Sequence, residues 1–295
     1  MVFNFFVNAV FIYLFFKVIK ITSMVKKNIL LLMLIGFSVQ TLMAQLGFSH
    51  EIGAITGPVA FQSDYGVRSD FETNAGNTGF GVGIIHYINF AYRADCNCYT
   101  KDSFFNDHFK LRNEISYNKT ALNHFGEWVV PEKTSATARR LRGMSGEANV
   151  FDLGSQLEYF PYSIRDFSAG GYTFAPFISL GAHYNSFSPK AAQDLSELTT
   201  AEAAQTEIID LNDPVTANNA IFLPESSTNE GFSSWSLVWS IGTRYKLTPL
   251  SDLMIDLRWQ YYFTDFADGL DHNSPSDKFN DWNVWFNFGY VYYLD

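Results

Sequence analysis

Apolar and polar residues alternate along several stretches of this chain. The clearest stretch is 252–264, where Leu253, Ile255 and Leu257 begin a wholly apolar face while Asp252 and Asp256 lie on the other. Successive side chains of a β-strand point to opposite faces, so this period of two predicts a strand with one apolar face. The same pattern predicts eight strands, at residues 46–56, 79–92, 109–118, 151–159, 172–185, 234–247, 252–264 and 282–294.

The length and polarity of these strands indicate the architecture. They run for roughly ten to fourteen residues, whereas strands of soluble sandwiches are usually about five or six residues long. Their polar face is rich in Gly, Ser and Asn, and their apolar face carries aromatic residues near its ends, such as Trp235 and Tyr245. Aromatic girdles beside an apolar band are typical of barrels that cross a membrane. The sequence therefore predicts an all-β protein, an eight-stranded antiparallel transmembrane β-barrel.

Composition excludes several other classes of protein. The 295 residues are 17% aromatic and 17% charged, whereas soluble domains have about 25% charged residues. A disordered chain would have few aromatic residues, and a multi-span helical protein would exceed the observed mean hydropathy of -0.03. The net charge of -10 argues against a nucleic-acid partner, because phosphate binding needs a basic face. Two Cys exclude a disulfide framework.

The N-terminal 44 residues contain no Asp or Glu and indicate export. Lys26 and Lys27 precede an apolar run at 29–37, and Ala44 is the expected last residue removed. We therefore predict a signal peptide at 24–44 and the barrel at 45–295, with residues 1–23 an extension produced by a misassigned start codon. The alternative for the first apolar run, at 2–16, is a membrane helix, although a span needs about twenty residues. Removal of four Lys leaves 16 basic against 30 acidic residues, a net charge of -14.

The links between the predicted strands indicate the orientation in an outer membrane. Bacterial barrels have long extracellular loops and short periplasmic turns. The longer links are 57–78, 121–147, 186–233 and 267–281, and the alternating ones are 93–108, 161–171 and 248–251. This pattern predicts periplasmic termini and outer-membrane lipids around the apolar face. The 93–108 link is long for a periplasmic turn.

Charged residues on the inward face of the strands are balanced in sign. An eight-stranded barrel leaves room inside for little more than side chains, and buried charges are costly unless they are paired. We expect a structural plug of ion pairs, with a proton or ion path as the alternative. The expected network comprises Glu51, Lys110, Arg112, Glu114, Asp152, Glu158, Arg244, Lys246, Asp256 and Arg258.

No motif in the chain predicts catalysis or a bound cofactor. Cys96 and Cys98 lack the second ligand pair of a zinc site, so they are expected to be a local disulfide or incidental, with a metal or redox pair as the alternative. Asp265, Asp268, Asp271 and His272 form an acidic exterior segment that could serve a hydrolase or hold Ca²⁺. Neither a Gly-x-Ser-x-Gly elbow nor a His-Glu-x-x-His motif is present. We expect no catalytic residue, cofactor or metal ligand.

Several segments together resemble one family of outer-membrane barrels. Residues 262–271 are similar to that family's Thr-Asp-Tyr-Leu-Asp-Asp motif, through Thr264, Asp265, Asp268 and Asp271. The other matching segments are 50–53, 157–162, 174–181, 185–191 and 242–247. The chain thus resembles the PorG-like barrels, whose named member belongs to the type IX secretion system. The 93–108 link with its Cys and the 189–230 loop depart from the family pattern.

The resemblance implies an eight-stranded barrel without catalysis. In the named member, the barrel anchors a periplasmic ring of secretion subunits to the outer membrane. The resemblance therefore implies that the partner of this chain is a periplasmic lipoprotein or a secretion-ring subunit. The expected function is a non-enzymatic accessory of protein secretion or gliding. The alternatives are a barrel hydrolase that uses the exterior acidic segment, and a small passive pore.

Overall fold

One antiparallel sheet closes on itself to form a barrel. The computed structural model describes residues 48–67, 70–93, 103–194, 196, 198, 228–270 and 279–294. The strands in this part of the chain are β1 (Phe48–Gln62), β2 (Thr78–Arg93), β3 (Phe109–Asn123), β4 (Met144–Tyr159), β5 (Phe174–Phe187), β6 (Lys190–Gln193), β7 (Phe232–Thr248), β8 (Ser251–Tyr262) and β9 (Trp282–Tyr293). Their order is β3-β2-β1-β9-β8-β7-β5-β4-β6, and the pairing of β3 with β4 closes the ring.

Eight of these strands form the barrel wall. The ninth, β6, has four residues and pairs only with the first part of β4, from Met144 opposite Gln193 to Glu147 opposite Lys190. The predicted eight-stranded antiparallel barrel is therefore confirmed. The signal peptide at 24–44 and the extension at 1–23 lie outside the described residues. We refer to the end where β1 begins and β9 ends as the terminal end, and to the opposite end as the loop end.

Several strands extend beyond their predicted limits toward the loop end. The β3–β4 ladder continues to Asn123 opposite Ser145, so the predicted link at 121–147 is shorter than expected. Outward side chains there are polar, and Lys119 pairs with Glu147 at 2.8 Å. The apolar alternation ends where the wall leaves its apolar belt, but backbone hydrogen bonding does not depend on that pattern and continues.

Short helices occupy the links, where the sequence pattern predicted none. They are α1 (Phe71–Asn74), α2 (Phe104–His108), α3 (Ala136–Gly143) and α4 (Ile164–Ser168), with a 3₁₀ turn at Glu127–Val129. Serine begins three of them, since the hydroxyls of Ser103, Ser135 and Ser163 accept hydrogen bonds from backbone N–H groups of the first turn. None of the described helices is both long and apolar enough to span a membrane.

The polarity of the barrel is the reverse of that of a soluble protein. Outward residues such as Phe80, Ile84 and Leu153 are 57%, 62% and 52% exposed, whereas Arg112 and Arg258 inside are fully buried. Charged residues are almost never fully buried in soluble proteins unless they are paired. An apolar exterior around a polar interior is the arrangement that a lipid environment requires.

One glycine of β2 makes room for the largest side chain in the lumen. A Cβ on Gly81 would overlap the indole ring of Trp285, which is fully buried. The guanidinium of Arg258 lies over that ring, 5.0 Å from its centroid. Gly81 therefore serves close packing inside the barrel.

Candidate functional site

The ten charged residues expected in the lumen lie on five strands and project inward. They come from β1, β3, β4, β7 and β8, and alternate residues bring Lys110, Arg112 and Glu114 of β3 to the same face. All ten are buried except Lys246, whose side chain is 10% exposed. The lumen thus concentrates charge where water is largely excluded.

The charges nearest the terminal end form one connected group. Glu51 accepts hydrogen bonds from Lys110 and Arg244, each at 2.6 Å. Arg244 also lies 3.4 Å from Glu158 and 3.7 Å from Asp252. These contacts join β1, β3, β4, β7 and β8 across the lumen.

A second group lies deeper in the barrel. Arg258 donates two hydrogen bonds to Glu114, both at 2.6 Å, in a bidentate pair. Arg112 lies 2.9 Å from Glu114, 3.0 Å from Asp256 and 3.5 Å from Glu158. Glu158 therefore connects the two groups, because it contacts both Arg112 and Arg244.

Asp152 departs from the expected pairing of five acids with five bases. Among the described residues, the partners of this carboxylate are the side-chain amides of Gln260 at 2.9 Å, Asn118 at 3.2 Å and Asn185. Asp252, which was not expected in the network, instead faces Lys246 at 3.5 Å. Which inward residues lie at one level depends on the stagger of the strands, and the alternation does not encode that stagger.

The terminal end of the lumen is closed by an apolar plug. Phe160, Ile164 and Phe167, from the start of the β4–β5 link and from α4, are at most 2% exposed and pack against residues of the wall. The ammonium of Lys246 lies over the Phe167 ring, 5.2 Å from its centroid. The plug is therefore in direct contact with the charge network.

A tyrosine holds α4 in this position. The hydroxyl of Tyr172 donates a hydrogen bond to the carbonyl of Ser163, the residue that begins α4. Burial, together with the nearby Asp166 and Asp107, raises the pKa of Tyr172 to about 12. The hydroxyl therefore remains a donor throughout the physiological range of pH.

The loop end is filled by a second apolar cluster that includes the first link. Tyr65 is fully buried in this cluster with Phe61, Leu122 and Tyr262, and its hydroxyl donates to the carbonyl of Ser145 at 3.0 Å. Burial, with the nearby Asp268 and Asp64, raises the pKa of Tyr65. Side chains therefore close the lumen at both ends.

The family-like motif contributes to this closure. Asp268 is fully buried, and its two carboxylate oxygens accept hydrogen bonds from the backbone N–H groups of Asp64 and Leu270, both at 2.8 Å. The hydroxyl of Thr264 accepts a hydrogen bond from the backbone N–H of Phe266 at 3.3 Å. Asp265, which lies between them, also belongs to the described part of the chain. Asp268 thus joins two loops that are 204 residues apart.

Several predicted candidates lie outside the described residues. These are Cys96, Cys98, Asp271 and His272, so the expected exterior acidic segment is described only in part. Within the described ranges, no group of three or more His, Cys, Asp or Glu side chains could hold a metal ion. The plug formed by α4 was not predicted from the sequence, although a Ser cap followed by the apolar residues Ile164 and Phe167 in a link was a signal for it.

The fold and the lumen together define a class, the closed eight-stranded antiparallel β-barrel with a charged interior and an apolar exterior. No family profile matches the chain, and no curated protein matches it. Among similar solved structures, the Neisserial surface protein A is 13% identical in sequence, and the match covers 82% of this chain and 96% of that chain with a TM-score of 0.39. The outer membrane protein OprG from Pseudomonas aeruginosa is 13% identical, with 83% of this chain and 97% of that chain covered and a TM-score of 0.39. A major outer membrane protein from Thermus thermophilus is 14% identical, with 83% of this chain and 99% of that chain covered and a TM-score of 0.39.

Proposed function

We propose that this chain is a non-enzymatic outer-membrane barrel that anchors or assists a protein-secretion or gliding machine, as its resemblance to PorG-like barrels implies. The observation that carries the proposal is the lumen, which is filled by a buried charge network and covered at both ends. In this proposal the termini lie in the periplasm and outer-membrane lipids surround the apolar belt.

A filled lumen favours an anchor over a passive pore. Ion pairs that connect five strands cannot separate without leaving buried charges unpaired, which costs several kcal/mol per pair. The network therefore favours a rigid barrel that transmits load from a partner to the membrane. Asp268 supports the absence of catalysis, because both of its carboxylate oxygens bind backbone groups and serve loop structure.

The proposed docking surface is the aromatic group around α2 at the terminal end. Phe104 is 64% exposed and Phe105 is 46% exposed. Behind them, Phe105 stacks on Phe109 at 4.8 Å between centroids, and Phe104 stacks on His108 at 4.2 Å. Exposed aromatic side chains on a supported surface are typical anchors of protein interfaces. The partner would be a periplasmic lipoprotein or a secretion-ring subunit.

The test is purification of the tagged barrel from its native membrane in mild detergent. A lipoprotein or secretion-ring subunit is expected to co-purify with the wild type and to be lost from the F104S/F105S double variant. The matched control is Trp128→Ser, which removes an aromatic side chain that is 55% exposed in the β3–β4 link at the opposite end. The proposal fails if the wild type retains no such subunit, or if the double variant retains it as well as the control does.

A further inference from the structure

A row of polar side chains crosses the apolar outer wall on four neighbouring strands. His50 of β1, His86 of β2, Asn113 of β3 and Ser155 of β4 all point outward, and the register places His86 opposite Asn113 and Asn113 opposite Ser155. The imidazoles of His50 and His86 stack with 5.2 Å between ring centroids and 14° between planes. This row was not among the predicted site residues.

Hydrogen bonds connect the row from one strand to the next. Ser155 Oγ donates to Asn113 Oδ1 at 2.7 Å, Asn113 Nδ2 lies 3.4 Å from His86 Nδ1, and His86 Nε2 lies 3.1 Å from His50 Nδ1. Asn113 Nδ2 can only donate, so neutral His86 accepts at Nδ1 and donates from Nε2 to His50. Each group thus donates toward His50.

The row lies within the apolar belt. Along β3, Asn113 is flanked on the outer face by Leu111 and Ile115, and along β4, Ser155 is flanked by Leu153 and Leu157. By contrast, the outward residues of β8 are Leu253, Ile255, Leu257, Trp259 and Tyr261. The hydrocarbon core of a bilayer offers no hydrogen-bond partners.

Asn113 and Ser155 each keep unused hydrogen-bonding capacity. The amide of Asn113 has a second N–H group, and the lone pairs of Ser155 Oγ accept no hydrogen bond from the residues that the structure describes. The serine is not an activated nucleophile, because its proton points to an amide oxygen, which is not a base. The pair instead offers one donor and one acceptor side by side.

A shallow hollow lies over the same residues. It has a volume of about 270 Å³, and its lining includes the polar residues His86, Asn113 and Ser155 and the apolar residues Ile84 and Leu153. Ligand pockets usually measure about 300–1,000 Å³. The hollow is therefore at the lower limit of that range, and its size also allows side chains of a neighbouring protein to enter.

We propose that this wall is the surface through which two copies of the chain pair within the membrane. A two-fold axis normal to the membrane brings the same patch of both copies together. The Asn113 amide of each copy then donates to the Ser155 hydroxyl of the other, so both unused groups of both copies are satisfied at once. A second copy provides this reciprocal donor and acceptor without any further residue. The proposal rests on the membrane insertion proposed above and not on the docking partner at α2.

Energy transfer between donor-labelled and acceptor-labelled copies in lipid vesicles tests the proposal. We expect the wild type to pair, with a dissociation constant that rises about tenfold in the N113L/S155A variant because two polar contacts within lipid are lost. The matched control is Thr243→Val, which removes an outward hydroxyl from β7 on another part of the wall and should leave pairing unchanged.

Two further readouts make the result decisive. Migration of unheated samples in gels reports whether each variant is a folded barrel, and Asn113→Ala replaces the double variant if that one does not fold. Energy transfer no greater than that of random mixing in the wild type overturns the proposal. Equal dissociation constants for the wild type and the folded Asn113 variant also overturn it. Retention of a secretion subunit by the α2 surface is a separate readout that these variants leave unchanged.

Discussion

At the scale of single residues, stability depends on how the buried charges are shared. Glu114 receives both arms of Arg258 and also faces Arg112, so its loss would leave two guanidinium groups short of a partner. Taking an ion out of water costs several kcal/mol, and close pairing offsets that cost only while both partners are present. The single residues of this lumen are therefore more sensitive than an equal number of surface charges.

Glu114→Leu is expected to lower the free energy of unfolding by about 3–5 kcal/mol, because it leaves Arg258 buried without its bidentate partner. Urea unfolding of the barrel in lipid vesicles, followed by tryptophan fluorescence, measures the change. The E114L/R258M double variant should regain much of the loss. Lys119→Ala, on the same strand as Glu114, breaks an exposed pair with Glu147 and should cost at most about 1 kcal/mol. Similar losses for Glu114→Leu and Lys119→Ala would contradict this account.

At the scale of elements, different sequence features determine the strands and the links. Alternation located every long strand, because lipid requires an apolar outer face on each of them, whereas most of the polar residues lie on the inner face. It missed the helical turns, since α4 is placed by its Ser163 cap and by burial of Phe167 in the lumen mouth. Neither a capping residue nor a single buried side chain repeats along the sequence, so a search for alternation does not detect them. The link between β4 and β5 is therefore part of the core.

Removal of the plug side chain tests the role of this link. Phe167→Ala is expected to cost about 3–5 kcal/mol, the usual range for a buried Phe, and the same urea titration measures it. The control is Tyr162→Ala in the same link, whose side chain is 59% exposed and whose loss should stay within about 0.5 kcal/mol. A result in which both variants lose the same stability would show that α4 does not seal the barrel.

At the scale of the whole molecule, the wall, the charge network and the two covered ends act together. Eight strands enclose a space that side chains can fill, and here the apolar clusters around Phe160 and Tyr65 lie at opposite ends of that space. The interior is therefore a packed core made largely of polar groups. In the proposed function, such a barrel holds a partner in place without passing solute.

The wild-type barrel is accordingly expected to show no unitary conductance in planar lipid bilayers. Flotation of the protein with the same lipids confirms insertion, and an open porin recorded under the same conditions provides the positive control. Repeated discrete current steps from the inserted barrel would contradict a closed lumen and would favour the passive pore.

The sequence by itself determined the strands and their inner and outer faces, because both follow from a period of two that neighbouring residues specify. It predicted a barrel from the strand lengths and the aromatic ends of the apolar face, because a period of two alone does not encode closure. It also identified ten of the charges in the inward network, although it did not include Asp252. Only the tertiary structure decided which charges meet. Glu51 and Arg244 are 193 residues apart, and Asp152 binds amides while Asp252 takes a place among the cations. The polar row from His50 to Ser155 likewise needs the register of four strands. Stagger and closure set these contacts, and both are properties of the assembled barrel.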